Sequence, residues 1–164
     1  MLTMSTQNIK STGCCDPFNP EKWDGKEIIW KKKLFVKDSV VSFLHIPLNM
    51  DGVMTRNMNL IEKADAKIPN LLMLTDEKSL WGADIYIEVN KQVPNTHSTT
   101  LSGTFLTKVF EGPYQDVGKW IPQMQEYVLN KKEKIVKLFF YYTTCPKCAK
   151  TYGKNYVVLF AQIK

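Results

Sequence analysis

Large apolar residues fall into regular patterns only after Gly25. Residues 1–25 hold Ser, Thr, Gly, Asn and two prolines, with Phe18 and Trp23 as the large aromatic groups, and predict an irregular arm pinned by those rings. From Glu27 the runs EIIWKKKLFV and SVVSFLHI are rich in β-branched and aromatic residues and flank Lys37-Asp38, which reads as the turn of a hairpin. NMDGVMTRNMNLIEKADAK then places Val53, Met54, Met58, Leu60 and Ile61 at helical spacing behind an Asn or Asp cap. NLLMLTD and ADIYIEVN read as strands around a Trp-Gly turn, and TTLSGTFLTKVFEG as a long strand running into Pro113. YQDVGKWIPQMQEYVLNKK supplies a second amphipathic helix, with Val117, Trp120, Ile121, Met124, Tyr127 and Val128 on one side. Pro122 is expected in its first turns, where a missing donor costs least. KIVKLFFYYTT and NYVVLFAQIK close the chain as strands.

This order invites a search for an internal repeat. Shifting VSFLHIPLNMDG, from Val41, onto TKVFEGPYQDVG, from Thr107, puts His45 on Glu111, Pro47 on Pro113, Asn49 on Gln115 and Gly52 on Gly118. The same shift lays LMLTD on LFFYY, whereas matching the last strands needs eight more residues, which fall in the hairpin holding Cys145 and Cys148. The expected fold is therefore α+β: duplicated βαββ units forming an antiparallel sheet with two helices on one face. An arm at 1–25 would precede a single domain at 26–164, with repeats at about 26–92 and about 98–164.

At 164 residues the chain is long enough to bury one substantial core. Its net charge of +6 comes from dispersed lysines, with Arg56 the one arginine, and the bidentate recognition of bases and phosphates favours arginine. No nucleic-acid partner is expected. The N-terminal residues lack a basic start followed by an apolar core, and no run approaches the length of a membrane span, so a cytoplasmic protein without a membrane partner is expected. The oligomeric state is not legible.

The duplicated unit, with strand, Gly-Pro-Tyr and amphipathic helix in TFLTKVFEGPYQDVGKWIPQMQEYV and an acid-x-Tyr strand in WGADIYIEV, resembles the GyrI-like small-molecule-binding domain over about Lys26 to Lys164. That family includes effector-binding domains of transcription regulators, free-standing antagonists of gyrase poisons, and hydrolases that open strained cyclopropane rings in alkylating toxins. The resemblance implies a ligand groove near the pseudo-twofold axis and a ligand-recognition role for Asp84 with Tyr86. No DNA-binding helix-turn-helix precedes the domain, which disfavours a regulator.

Alternation along β-strand 83–89 puts Ala83, Ile85, Ile87 and Val89 on one face and Asp84, Tyr86 and Glu88 on the other. Two carboxylates flanking a tyrosine suit an aromatic or cationic ligand, and equally a solvent-exposed strand. Hydrolytic ring opening needs a carboxylate-activated water, for which Asp84, Glu88 and Glu111 are the candidates, although an acid at Glu111 also suits a helix N-terminus. The matching strand of the second copy, YVVLFAQI, carries no acid. Trp81, Tyr114, Trp120 and Tyr141 are candidate stacking walls, each with core packing as the competing role. His45 and His97 have no nucleophile in a recognisable motif, which argues against a Ser-His-Asp hydrolase. Two function classes follow: an enzyme that hydrolyses or detoxifies planar or strained reactive compounds, and a non-catalytic binder that sequesters ligands.

YYTTCPKCAKTYGKN resembles the start of a glutaredoxin, but the few residues after Cys148 read as a turn and one strand, without the helix such a thiolate needs. Cys145 and Cys148 on a hairpin tip, with Cys14 and Cys15, instead supply four ligands for a structural zinc, against the alternative of free reduced thiols. No cofactor is needed for the chemistry.

Overall fold

The computed structural model describes residues 18–43, 46–68, 72–79, 81–143 and 154–164. The strands are β1 (Lys26–Phe43), β2 (Ile46–Pro47), β3 (Met73–Ser79), β4 (Gly82–Glu88), β5 (His97–Glu111), β6 (Lys137–Tyr142) and β7 (Tyr156–Gln162). Two helices, α1 (Met50–Lys63) and α2 (Val117–Asn130), follow β2 and β5. The β-α-β-β order thus occurs twice.

The strands hydrogen-bond in the order β2-β1-β4-β3-β6-β7-β5, all antiparallel, and β5 also pairs with β1. That last pairing curls the expected antiparallel sheet into a closed, barrel-like one of six strands, with β2 as a short extension. Long antiparallel strands close only if they bend, and both partners carry a bending device. In β1 the register slips between Trp30 and Lys33, with Lys32 at φ 50°. Opposite Trp30 in β5 stands Gly103 at φ 143°, where a Cβ would lie 2.3 Å from the Lys164 carbonyl oxygen.

The expected hairpin at Lys37-Asp38 does not form: β1 runs through it as one strand of 18 residues. Both residues are used instead of turning. Lys37 faces inward opposite Tyr86, while Asp38 faces α1 and binds Arg56 and the Asn57 amide, the latter at 2.8 Å. Pro122 also departs from expectation, lying inside α2 beyond its first turn, where its missing N–H forfeits a helical hydrogen bond.

Alternation then builds three clusters. Outside, α1 covers Val36, Val40, Ala83, Ile85 and Ile87 with Val53 and Ile61. On the other flank α2 covers Leu106, Phe110, Val157, Leu159 and Ala161 with Trp120, Met124 and Val128. Both helices thus lie on the convex face. Inside the barrel, Phe35, Leu74, Tyr86, Phe105, Phe139, Val158 and Phe160 meet, joined by Phe18, Trp23 and Trp30. Phe35, Phe105, Phe139 and Phe160 have no exposed surface, and burying such a side chain favours folding by about 1.5–3 kcal/mol.

Candidate functional site

The site starts from the alternation of β4. Asp84, Tyr86 and Glu88 point into the barrel, and register sets what faces them: Ser39, Lys37 and Phe35 on β1, and Asp76, Leu74 and Leu72 around β3. Asp84 is buried; the Ser39 hydroxyl donates to its Oδ1 at 2.7 Å, and Lys37 Nζ lies 3.4 Å from Oδ2. Glu88 is committed at both oxygens, to Lys33 Nζ at 2.7 Å and to the Leu72 N–H at 3.0 Å. Asp76, paired in register with Asp84, holds Lys137 Nζ at 3.0 Å.

A pattern emerges from these pairs. Lys33 lies 5.4 Å from the Trp30 ring centroid, Lys37 5.5 Å from Tyr86, and Lys137 5.9 Å from Tyr86 and 5.1 Å from Phe139. Each inner-face acid described thus has a lysine that also sits near an aromatic ring, an arrangement stabilised by ion pairing and by the ring quadrupole. Burial alone would lower the Lys137 pKa, but the hydrogen bond and charge of Asp76, helped by Tyr86, outweigh it and hold the ammonium above its ordinary value.

The other candidates are dispersed. Glu111 is exposed at the far end of β5 from His97, paired in register with Tyr156. Trp120 packs beneath α2, stacked on Phe110 at 5.6 Å and 17°, and its ring closely approaches Gly112. Trp81 is 59% exposed at the β3–β4 turn, edge-on to Phe43 at 5.5 Å. Tyr141 faces inward, with Phe18 at 6.1 Å and Trp23 at 6.0 Å. The Tyr114 side chain, His45 and the four cysteines Cys14, Cys15, Cys145 and Cys148 lie outside the described residues. Among the described residues no cluster of His, Cys, Asp or Glu has the form of a metal site.

Sequence reasoning missed Lys37, Asp76 and Lys137. Lys37 was hidden in an apparent turn, and Asp76 and Lys137 stood at the limits of apolar runs; their only signal was inward parity beside Asp84. It also missed an outer seam between the helices, where Thr75 pairs in register with Phe140 and the Tyr142 hydroxyl lies 3.3 Å from Glu77 Oε1.

The barrel has two unlike ends. At the β7 start, Phe18 lies 5.5 Å from Tyr156 and Trp23 5.4 Å from Phe160, and Thr107 donates its hydroxyl to the Trp23 carbonyl, so residues 18–23 plug the opening. At the opposite end of β6, Lys37 and Lys137 cover Asp84 and Asp76. No helix among the described residues is long and apolar enough to cross a membrane.

A family model described as "Bacterial hydrolase" matches residues 5–163. No curated protein matches the sequence. Solved structures share the fold, three of them as follows. The EcmrR C-terminal domain aligns with TM-score 0.66 and 9% identity over 87% of this chain and 98% of its own. A hydrolase from Listeria innocua gives 0.61 and 8% over 86% and 92%. SAV2435, solved bound to tetraphenylphosphonium, gives 0.50 and 14% over 86% and 94%.

Proposed function

We propose, for a chain that belongs to the bacterial hydrolase family and has the GyrI-like small-molecule-binding fold, that the lysine-covered end of the barrel binds aromatic compounds and hydrolyses planar or strained reactive ones. One observation carries the reading: a buried carboxylate, Asp84, beside the Tyr86 ring, with Ser39 and Lys37 fixing its two oxygens. Asp84 is the base we favour. Its side chain is 4% exposed against 18% for Glu88, the deeper carboxylate being the better placed to act out of bulk water, and Glu111 lies exposed at the other end of β5.

In ring opening, Asp84 takes a proton from water as the water oxygen bonds to a ring carbon. The strained carbon–carbon bond breaks, its electron pair passes into the conjugated system, and a proton completes the net addition of one water. Tyr86 would orient the flat substrate, with Tyr141 and the buried phenylalanines behind it. The aromatic character of the ligand gains support from the tetraphenylphosphonium seen on the structural neighbour SAV2435.

Incubation with a cyclopropane-bearing alkylator tests this. We expect turnover beyond one equivalent, abolished in Asp84→Asn and retained in Glu111→Gln. Capture stopping at one equivalent sinks the hydrolase and leaves the sequestering binder, which the full engagement of the Asp84 oxygens would also suit. A structural zinc on Cys14, Cys15, Cys145 and Cys148 stays a separate proposal, supported by their pairing along the chain; protein without zinc and with four titrating thiols ends it.

A further inference from the structure

The charges at the lysine-covered end are layered. The Asp84 side chain is 4% exposed beneath Lys37 at 31%, and that of Asp76 is 14% exposed beneath Lys137 at 40%. A ligand arriving from water therefore meets ammonium groups first and carboxylates second. The positions near Tyr86 and Phe139 that an aromatic-seeking cation would take are already held by Lys37 and Lys137 Nζ. A permanent cation has to displace tethered lysines and expose an ammonium–carboxylate pair, exchanging one cation for another with little net gain in Coulomb energy. An anionic group pairs with the same ammoniums where they stand.

We infer that this end selects aromatic compounds bearing an anionic group, such as a carboxylate, sulfonate or phosphate, and that Lys37 and Lys137 are the residues that set this preference. The inference rests on the aromatic-binding reading above and deepens it. It reverses the charge expected from the acid-x-Tyr pattern, because the strand opposite supplies a lysine for Asp84 that the acid strand alone does not show. Lys33, which pairs with Glu88 near Trp30, repeats the device farther along the same face.

Two ions of nearly equal size and opposite charge, tetraphenylborate and tetraphenylphosphonium, make the test. Both are titrated calorimetrically in sodium buffer against the full chain and three variants. The wild type is expected to bind tetraphenylborate at least about tenfold tighter, a difference of about 1.4 kcal/mol. K37M/K137M should lose or reverse that preference. K131M/K132M, which removes the same charge from the end of α2, should keep it and so exclude the overall charge as its cause. Should the double variant fail to fold, K137M alone, at the more exposed lysine, is expected to narrow the preference, while K37R/K137R retains it.

Equal binding of the two ions, tighter binding of the phosphonium by the wild type, or a borate preference that survives K37M/K137M overturns the inference while leaving aromatic binding intact. Saturable binding of neither ion to any form overturns the aromatic-binding reading, and the charge preference with it.

Discussion

Strand pairing sets a different correspondence between the repeats from the sequence alignment: Lys37, not Val41, matches Thr107, and Asp76 matches Tyr141 rather than Tyr142, a slip of one residue that exchanges the faces of the strand. Matched in this way, the two repeats build the same inner face from largely different materials. Phe35 pairs with Glu88 as Phe105 pairs with Gln162, Lys37 with Tyr86 as Thr107 with Phe160, and Ser39 with Asp84 as Val109 with Val158. On the neighbouring strand, Asp76 faces Asp84 as Tyr141 faces Val158. The second repeat therefore has two valines, a tyrosine and a threonine where the first has a serine, two aspartates and a lysine. The backbone tolerates both sets, so the fold does not require the charges. Burying ion pairs rarely gains stability over apolar side chains of similar volume. Their gathering at the end left without the Phe18 and Trp23 plug, where Lys137 of the second repeat joins them, is what marks a binding end and a structural end of one barrel.

The sharpest way to break this comparison is to cut matching residues on the two sides. Phe160→Ala should cost about 3–5 kcal/mol, because a fully buried ring leaves a cavity among Trp23, Trp30 and Val158. Tyr86→Phe keeps the ring and should cost no more than about 1.5 kcal/mol, the worth of a hydrogen bond. Urea denaturation of both variants checks the pair of values. Similar losses would mean that Tyr86 is as structural as its counterpart, and that the functional division between the repeats is wrong.

A second cut falls where the repeats join. Gly103→Val forces a side chain into φ 143° and against the Lys164 carbonyl, opposite the irregularity in β1 that lets the sheet close. A loss of at least about 1–3 kcal/mol is expected, with weaker hydrogen-exchange protection along the β1–β5 seam. Loss spread evenly over the barrel would show that closure does not depend on this bend.

The third change makes one repeat imitate the other. Asp84→Val with Lys37→Met should leave stability unchanged or raise it by about 1–4 kcal/mol, as replacing buried ion pairs often does, while abolishing turnover. Asp84→Val alone should be the less stable protein, since it deprives Lys37 of its partner. A double variant that stays active would sink the role given to Asp84.

How much of this could be read in the chain follows from which residues obey a single constraint. Val117, Trp120, Met124 and Val128 only have to fill a core, so their spacing alone showed α2, and the parity of Asp84, Tyr86 and Glu88 was equally plain. Lys37-Asp38 answers two demands: one residue turns inward to Asp84 and the other outward to Arg56, and that polarity in mid-strand imitates a turn. Closure was hidden for a different reason. It depends on pairing between β1 and β5, distant in sequence, and on one glycine and one register slip whose meaning appears only when the two strands meet. Trp120 and Glu111 looked like site residues because residue type suits both a groove and a core or helix entry; three-dimensional placement separates them.

The smallest expected effect concerns protons, and it too belongs to one repeat's acid. Lys137 is held above its ordinary pKa of 10.5 mainly through Asp76, despite a burial that acts the other way. A folded-state pKa raised in this way contributes stability that is fully present below the unfolded value and is lost as pH rises through the folded one. The difference in urea midpoint between the wild type and Asp76→Asn should therefore be constant up to about pH 9 and shrink as the ammonium titrates above it. Because the pair is partly exposed, the difference should stay within about 1 kcal/mol. A difference that grows with alkalinity, or that is unchanged after Lys137→Met, would mean that Asp76 acts through some other group, and that the two layers of charge at this end are not coupled.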